Sequence, residues 1–242
     1  MSLLAHAGKV PLLLSMIWAH YVAYTSPNPV VTERSAALPA TVGRATVIMR
    51  PVWMRRVHKA ITRAIILADA LAIVTSLLLE DIATSLHVDE AILATCTRIR
   101  ITPLFLVGWA LVISGALLRK ACYRELGKHF TFEVTVHNDH RLITSGPYSV
   151  VRHPAYTATC ILVPGAVLCA FSEGAWLRES AFLHSWMGQV LALLWVADLT
   201  YVPLMMLFKR VRLEDALMKK TFGKEWDEWV KRTPCAILPW IY

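Results

Sequence analysis

Long apolar stretches alternate with shorter polar connections along this 242-residue chain. A helix that spans a bilayer needs about 20 mostly apolar residues. The second, third and fifth stretches meet this requirement best, whereas the first contains polar positions and the fourth is short. The pattern predicts an all-α fold, a polytopic membrane helical bundle of about five transmembrane helices with a cytosolic C-terminal amphipathic helix. The stretches are residues 3–24, 61–79, 101–118, 156–171 and 182–208.

Composition supports the membrane interpretation. Hydrophobic residues make up 56% of the chain and the mean hydropathy is +0.50, whereas typical soluble domains have an apolar share of roughly 45–50%. The formal net charge of +8 would suggest nucleic acid in a soluble protein. In so apolar a chain the basic residues fit membrane topology, and we expect no nucleic-acid partner. The five cysteines form no CxxC pair, so we expect neither a disulfide framework nor a metal site.

Basic residues are distributed unevenly among the polar connections. The connection between the first and second stretches is rich in Lys and Arg, and the next connection is rich in Asp and Glu. Bases again exceed acids in residues 119–155 and in the tail from Lys209. Because positively charged loops stay on the cytosolic side, this alternation predicts a lumenal N-terminus. It also predicts that residues 119–155 and the tail share the cytosolic face.

One polar stretch, GPYSVVRHPAYTA, opens the fourth apolar segment. Gly146 and Pro147 predict a turn, and Pro154 is typical of the first residue of a helix. The positive N-terminal end of that helix would then lie near Arg152 and His153. Free backbone N–H groups and a guanidinium together can form an anion site.

Two tyrosines of the same stretch, Tyr148 and Tyr156, offer aromatic faces with polar tips. A purely structural interpretation competes with ligand binding. An Arg beside a membrane helix usually extends to lipid headgroups, and a Tyr at that depth is usually an interface anchor. From the residues alone, the two interpretations are about equally well supported.

A second polar stretch, FKRVRLEDALMKKTFGKEWDEWV, directly follows the last apolar segment. If the helix continues, Arg210 and Glu214 lie four residues apart on one face and can pair. A basic helix that binds anionic lipid is the simpler interpretation, but an anionic leaflet would repel Glu214 and Asp215. Further on, Trp226 and Trp229 belong to an apolar stripe that we expect to lie in the membrane interface.

Two acids, Asp69 and Asp198, fall inside predicted spans. An ionisable group there is a functional candidate, since its burial costs several kcal/mol unless it is paired. Neither acid has an evident basic partner in the sequence. We interpret His20 and His58 as ordinary loop or interface histidines.

Taken together, two segments resemble the isoprenylcysteine carboxyl methyltransferase family. They are HRLITSGPYSVVRHPAYTA and, after an apolar hairpin, RVRLEDALMKKTFGKEWDEWVKRTP. The family shows a GxY turn, an RHPxY box, an Arg-rich step followed by two acids, and a late FGxEYxxYxxxxP pattern. The resemblance covers residues 119–242. This chain departs from the pattern at Asp215, where the family usually has Glu, and at Trp226 and Trp229, which replace tyrosines.

The resemblance implies an integral membrane enzyme of the endoplasmic reticulum with its active site facing the cytosol. It would use S-adenosylmethionine to methylate the C-terminal carboxylate of a prenylated cysteine, on a prenylated protein or peptide among membrane lipids. The region 1–118 would supply membrane helices and a basic loop, and 119–242 would be the catalytic region. The implied catalytic residues are Arg210, Glu214, Asp215 and Arg152. The implied cofactor-binding residues are Gly146, Pro147, Tyr148, Arg152, His153, Pro154, Tyr156 and Glu214.

The reaction class suits these residue types, because a carboxylate is already ionised at neutral pH and needs no general base. The protein has to bring an anion and a cationic methyl donor together and exclude water. Two alternatives stay open. A related membrane methyltransferase would act on a phospholipid amine or a small lipophilic acid, with Glu214, Asp215 or His153 as base for the amine. A transporter would show broken helices and paired charges at mid-membrane.

Overall fold

The protein was analysed as a computed structural model, which describes residues 7–28, 52–82, 95–130, 141–205 and 209–239. Every regular element within these ranges is a helix and none is a strand. The predicted all-α fold is confirmed.

The α-helices differ widely in length, from four residues in Trp176–Glu179 to 31 in Val52–Ile82. The α-helices are α1 (Lys9–Tyr24), α2 (Val52–Ile82), α3 (Pro103–Leu126), α4 (Pro154–Phe171), α5 (Trp176–Glu179), α6 (Trp186–Met205), α7 (Val211–Phe222) and α8 (Lys224–Arg232). Single 3₁₀ turns occupy Gly127–His129, Gly146–Ser149 and Ala181–His184.

Four described helical segments are long and apolar enough to cross a membrane, as the prediction of a polytopic bundle requires. They are Arg56–Leu78, Pro103–His129, Pro154–Glu179 and Trp186–Met205. The first predicted span corresponds to α1, whose 16 residues fall short of a full span; residues 3–6 of that prediction lie outside the described ranges. The chain is an integral membrane protein by these features.

The chain folds as two compact units, each discontinuous in sequence. The first comprises Met1–Tyr21, Arg56–Ser114 and Ile161–Thr200. One hydrophobic core of this unit contains Val163, Ala170, Leu177, Trp195 and Leu199, all buried. Because apolar burial is the main stabilising contribution to packing, this cluster holds α4, α5 and α6 together within the unit.

Both acids of the predicted spans have basic partners in the first unit, which corrects the sequence-based expectation. The Lys9 ammonium, which is fully buried, donates to Asp69 at 2.9 and 3.1 Å and to the Gly174 carbonyl at 2.7 Å. His58 Nδ1 lies 2.6 Å from Asp198 Oδ2. Each pair joins positions far apart in the chain, so sequence spacing gave no sign of it.

His20 and His58 also differ from expectation, since both are buried in the first unit. Their rings stack with centroids 5.8 Å apart. Neither is an ordinary loop histidine; α1 and α2 carry them into the interior of this unit.

The second unit comprises Val22–Arg55, Gly115–Cys160 and Tyr201–Tyr242. In it Gly223, at φ 54°, joins α7 to α8. Trp226 and Trp229 are buried against Cys122 and Tyr148, which corrects the prediction of an aromatic stripe lying in the membrane interface. The physical reason is that α8 turns its apolar face onto its own unit, where indole rings bury more area than they would at a surface.

A second core of this unit packs the start of α4 against α7 and the tail. It contains Tyr156, Val211, Ala236 and Ile237. The two polar stretches singled out in the sequence therefore share one hydrophobic core. The functional boundary between residues 118 and 119 stays a prediction.

Candidate active site

The first polar stretch begins with a turn that requires glycine. Gly146 has φ 57°, a conformation that residues with a Cβ rarely adopt. A Cβ at this position would also lie 2.9 Å from Glu125 Oε2. The neighbouring Ser145 hydroxyl donates to the Glu125 carboxylate. Pro147 continues the turn, and its carbonyl accepts the Val150 N–H at 3.3 Å.

Helix α4 begins at Pro154, as predicted. The backbone N–H groups just before it are not free, however. Arg152 N donates to the Cys235 carbonyl at 3.0 Å, and His153 N donates to the Ala236 carbonyl at 2.7 Å. The main-chain N–H groups of Arg152 and His153 are therefore paired with the C-terminal tail. At these two residues, only the side chains can contact an anion. The anion site predicted at the N-terminal end of α4 stays a prediction.

The Arg152 guanidinium lies between the tail and α7. Its Nη1 donates to the Thr233 carbonyl at 3.1 Å and to the Pro234 carbonyl, and its Nη2 donates to Asp215 Oδ2 at 3.0 Å. Within the described part of the chain, its buried Nε has no hydrogen-bond partner. A buried donor of this kind costs free energy until an acceptor reaches it.

His153 lies between two carboxylates of α7. Its Nε2 is 2.7 Å from Asp215 Oδ1, and its Nδ1 is 3.5 Å from Glu214 Oε2. Only an imidazolium donates from both nitrogens. Desolvation alone would lower the His153 pKa, but hydrogen bonds and attraction to Asp215 and Glu214 raise it above its ordinary value. The ring is therefore held in its charged form.

Glu214 connects His153 to a second cation. Arg210, directly before α7, donates from Nε to Glu214 Oε1 at 2.7 Å, and the Tyr156 hydroxyl donates to the same oxygen. This confirms the predicted pairing of residues 210 and 214. Burial would raise the Glu214 pKa, but Arg210 and then His153 lower it to about 2. Asp215 behaves alike: burial would raise its pKa, but hydrogen bonds and attraction to His153 and Arg152 together lower it.

The aromatic rings of the first stretch are used within the protein. Tyr156 is buried and stacks on His153, with centroids 5.4 Å apart and planes 2° from parallel. The Arg210 Cζ lies 5.7 Å from the centroid of the same ring, within the range of a cation–π contact. Tyr148 is buried in the cluster that contains Cys122 and both α8 tryptophans. Both rings thus support the polar network from within the unit.

These contacts join the two polar stretches into one network, defined here as the site network: Arg152, His153, Tyr156, Arg210, Glu214 and Asp215. At neutral pH it contains three cations and two carboxylates, so its own charges sum to one positive charge. An oxygen anion placed beside it would be attracted. No group of three or more His, Cys, Asp or Glu side chains suited to a metal occurs in the described ranges.

Sequence reasoning missed two supporting side chains. Buried Arg119 donates to Tyr123 Oη at 2.8 Å, to the Ala155 carbonyl at 2.9 Å and to Thr159 Oγ1 at 2.8 Å. The four-residue spacing of Arg119 and Tyr123 was a usable signal. Thr157, which donates to the Ile237 carbonyl, offered none, because its acceptor is a main-chain oxygen 80 residues away.

Comparison with known proteins adds an independent result. Residues 108–177 match the model of the isoprenylcysteine carboxyl methyltransferase family, a segment that includes the first polar stretch and ends before the second. The chain is 28% identical over 137 residues to a probable protein-S-isoprenylcysteine O-methyltransferase of Oryza sativa subsp. indica, covering 56% of this chain and 61% of the relative. It is 23% identical over 134 residues to protein-S-isoprenylcysteine O-methyltransferase B of Arabidopsis thaliana, covering 54% and 57%. The chain thus spans about three fifths of the length of these relatives.

Proposed function

Because residues 108–177 match the model of the isoprenylcysteine carboxyl methyltransferase family and the relatives described above carry that activity in their names, we propose that this chain is a protein-S-isoprenylcysteine O-methyltransferase. It transfers a methyl group from S-adenosylmethionine to the C-terminal carboxylate of a prenylated cysteine. The family match includes the first polar stretch, and a methyltransferase requires a methyl donor. The observation that carries the proposal is the site network, in which His153 and Arg152 contact the α7 carboxylates that follow Arg210.

The donor set fits S-adenosylmethionine. The carboxylate of S-adenosylmethionine can accept hydrogen bonds from Arg152 and from the imidazolium of His153. The buried Nε of Arg152 lacks an acceptor among the described residues. When bound, S-adenosylmethionine supplies an electrophilic methyl group on a sulfonium centre. Negative charge on Glu214 favours a sulfonium cation nearby. The residues proposed to hold the donor are Gly146, Pro147, Tyr148, Arg152, His153, Pro154, Tyr156 and Glu214.

The acceptor carboxylate is assigned to Arg210. A guanidinium binds a carboxylate through two parallel N–H donors and orients it. The bond from Arg210 Nε to Glu214 fixes the plane of that guanidinium. The hydrogen bonds of Asp215 with Arg152 and His153 likewise fix the orientation of the Arg152 guanidinium and of the His153 ring. We therefore assign catalytic roles to Arg210, Glu214, Asp215 and Arg152, with orientation and exclusion of water as the main contributions to rate.

The protonation state of the site network favours a carboxylate acceptor over a phospholipid amine. An amine arrives as an ammonium ion at neutral pH and must lose a proton before it attacks. Glu214, with a pKa of about 2, and Asp215, with a lowered pKa, are poor proton acceptors. The raised pKa of His153 favours its protonated form, which cannot accept a further proton. A carboxylate needs none of them as a base.

We assign catalysis to the region 119–242, which contains the whole site network, and membrane anchoring to 1–118. The site network would face the cytosol in the endoplasmic reticulum membrane. A prenyl chain would enter from the lipid phase, which explains a site at a bilayer surface. Protease accessibility of a C-terminal epitope in sealed microsomes tests the orientation: protection of the epitope would overturn it.

The decisive experiment incubates membranes containing the protein with methyl-labelled S-adenosylmethionine and N-acetyl-farnesylcysteine. Base-labile label in the farnesyl compound supports the proposed ester. Label confined to phosphatidylethanolamine would instead support an amine methyltransferase, and label in a fatty acid ester would support a small lipophilic acid as acceptor. Absence of label from all three would overturn a methyltransferase role for these substrates.

A further inference from the structure

We propose that the C-terminal segment Thr233–Ile237, called here the tail strap, is a positioning element for Arg152 and His153. The inference rests on the proposed function, since it concerns how the methyl donor's residues are held. Four consecutive carbonyls, from Thr233 to Ala236, accept hydrogen bonds from these two residues. A fifth, that of Ile237, accepts the Thr157 hydroxyl.

The hydrogen bonds between the tail strap and residues 152 and 153 follow the order of both segments. Cys235 and Ala236 accept the main-chain N–H groups of Arg152 and His153 in order, at 3.0 and 2.7 Å. The Arg152 side chain folds back onto the two preceding carbonyls of the tail strap. The tail strap therefore fixes both the backbone and the guanidinium of Arg152, and its Nη2 is left to reach Asp215.

Burial anchors the far end of the tail strap. Ile237 is fully buried and packs with Tyr156, Val211 and Ala236. Tyr156 itself belongs to the site network, so the anchor and the network share a side chain. Buried main-chain carbonyls need donors, and the Thr157 hydroxyl supplies one at Ile237.

The physical consequence is pre-organisation. Arg has many side-chain rotamers, and fixing it before the ligand arrives removes that entropic cost from binding. If the tail strap loosens, Arg152 and His153 sample other positions and the donor binds more weakly. Chemistry after binding should be affected less, because the bond between Arg210 and Glu214 joins two residues outside the tail strap.

Thr157 is the side chain that tests this positioning. Thr157→Val keeps the shape of the side chain and removes the hydroxyl, whereas Thr157→Ser keeps the hydroxyl. Thr221→Val is the matched control, because the Thr221 hydroxyl donates to the Leu217 carbonyl within its own helix. Ile237→Ala is a second variant that weakens the buried anchor directly.

The experiment measures KM and kcat for both substrates, with hydrogen exchange of residues 233–239 and equilibrium binding of S-adenosylhomocysteine in detergent. For Thr157→Val we expect KM for S-adenosylmethionine and the S-adenosylhomocysteine Kd to rise about tenfold. The farnesylcysteine KM should stay unchanged, and residues 233–239 should exchange faster. Thr157→Ser and Thr221→Val should behave as wild type, and Ile237→Ala should resemble Thr157→Val.

The inference would be overturned if Thr157→Val bound S-adenosylhomocysteine as tightly as the wild type and residues 233–239 exchanged at the wild-type rate. Equal weakening of binding in Thr157→Val and Thr157→Ser would also overturn it. The two proposals fail separately. A wild-type protein that binds S-adenosylhomocysteine but methylates no prenylcysteine would overturn the proposed function, while the binding and exchange measurements would still decide the role of the tail strap.

Discussion

The Asp215 carboxylate lies 2.7 Å from Nε2 of His153, a residue 62 positions earlier in the chain. The same carboxylate accepts a bond from Arg152 at 3.0 Å. One acid of α7 thus holds both basic residues that precede α4. The geometry makes each polar stretch dependent on the other, and the predictions below test that dependence.

Asp215→Asn should reduce kcat/KM for methylation by about 10–100-fold, since one hydrogen bond to a charged partner is worth about 1.5–3 kcal/mol and the Asn carbonyl oxygen can still accept the other. Asp215→Glu keeps the charge and should retain more activity than Asp215→Asn. Initial rates with N-acetyl-farnesylcysteine provide the measurement. The control is Asp227→Asn, which removes only an exposed pair with Lys219. Equal rates for Asp215→Asn and wild type would contradict a role for this carboxylate.

Arg210→Lys should lower kcat/KM by about tenfold or more, although the charge is kept. A lysine ammonium cannot bond Glu214 and present two parallel donors to a carboxylate at once. The loss should appear mainly with the prenylcysteine as the varied substrate. Arg212→Lys is the matched control, because Arg212 is exposed two residues further on. A wild-type rate for Arg210→Lys would contradict the proposed binding of the substrate carboxylate by two N–H donors of Arg210.

Tyr156→Phe should weaken the site network without dismantling it. The ring keeps its stack on His153, but Glu214 loses the hydroxyl donor. The lost bond joins the hydroxyl to a charged carboxylate and contributes about 1.5–3 kcal/mol, so kcat/KM should fall roughly 10–100-fold. The exposed Tyr21 offers a comparison through Tyr21→Phe, for which no change is expected. An unchanged kcat/KM in Tyr156→Phe would contradict the support of Glu214 by this hydroxyl.

The stability of the second unit should decline on both sides of neutral pH. The folded pKa of His153 is raised above 6.5, so its contribution is fully present below pH 6.5 and is lost as pH rises through the raised value. Glu214 is shifted from 4.5 to about 2, so its contribution is present above pH 4.5 and is lost as pH falls towards 2.

Thermal unfolding in detergent across this pH range measures both the loss of stability at acidic pH (the acid limb) and the loss at alkaline pH (the alkaline limb). His153→Gln removes the titrating ring and should flatten the alkaline limb while the acid limb remains. If His153→Gln loses stability at alkaline pH as the wild type does, a group other than His153 must be responsible for that loss.

Arg119→Met should destabilise the start of α4. The variant removes three buried contacts, with the Ala155 carbonyl, Thr159 Oγ1 and Tyr123 Oη, at a cost of about 1–3 kcal/mol. A lower midpoint of thermal unfolding in detergent is the expected result. The exposed neighbour Lys120 supplies the control through Lys120→Met. Equal midpoints for the two variants would show that Arg119 does not brace this helix.

The pattern of apolar stretches was sufficient to predict the helices, because a membrane span requires a long apolar run that is visible in the sequence. Local chemistry also predicted the turn at Gly146, the start of α4 at Pro154 and the pairing of Arg210 with Glu214. Each of these depends on backbone angles or on a four-residue spacing, both of which are local properties.

Contacts between distant segments were decided by tertiary structure alone. Lys9 lies 60 positions from its partner Asp69, and the tail carbonyls that hold Arg152 lie at least 81 positions away from it. The burial of Trp226 and Trp229 depends on which face of α8 turns inward. A single sequence records which residues can form ion pairs or cores, but not which distant partner the folded chain brings within 3 Å. The residue types of the site could therefore be identified in the two polar stretches of the sequence. That Asp215 contacts Arg152 and His153 was decided by the tertiary structure.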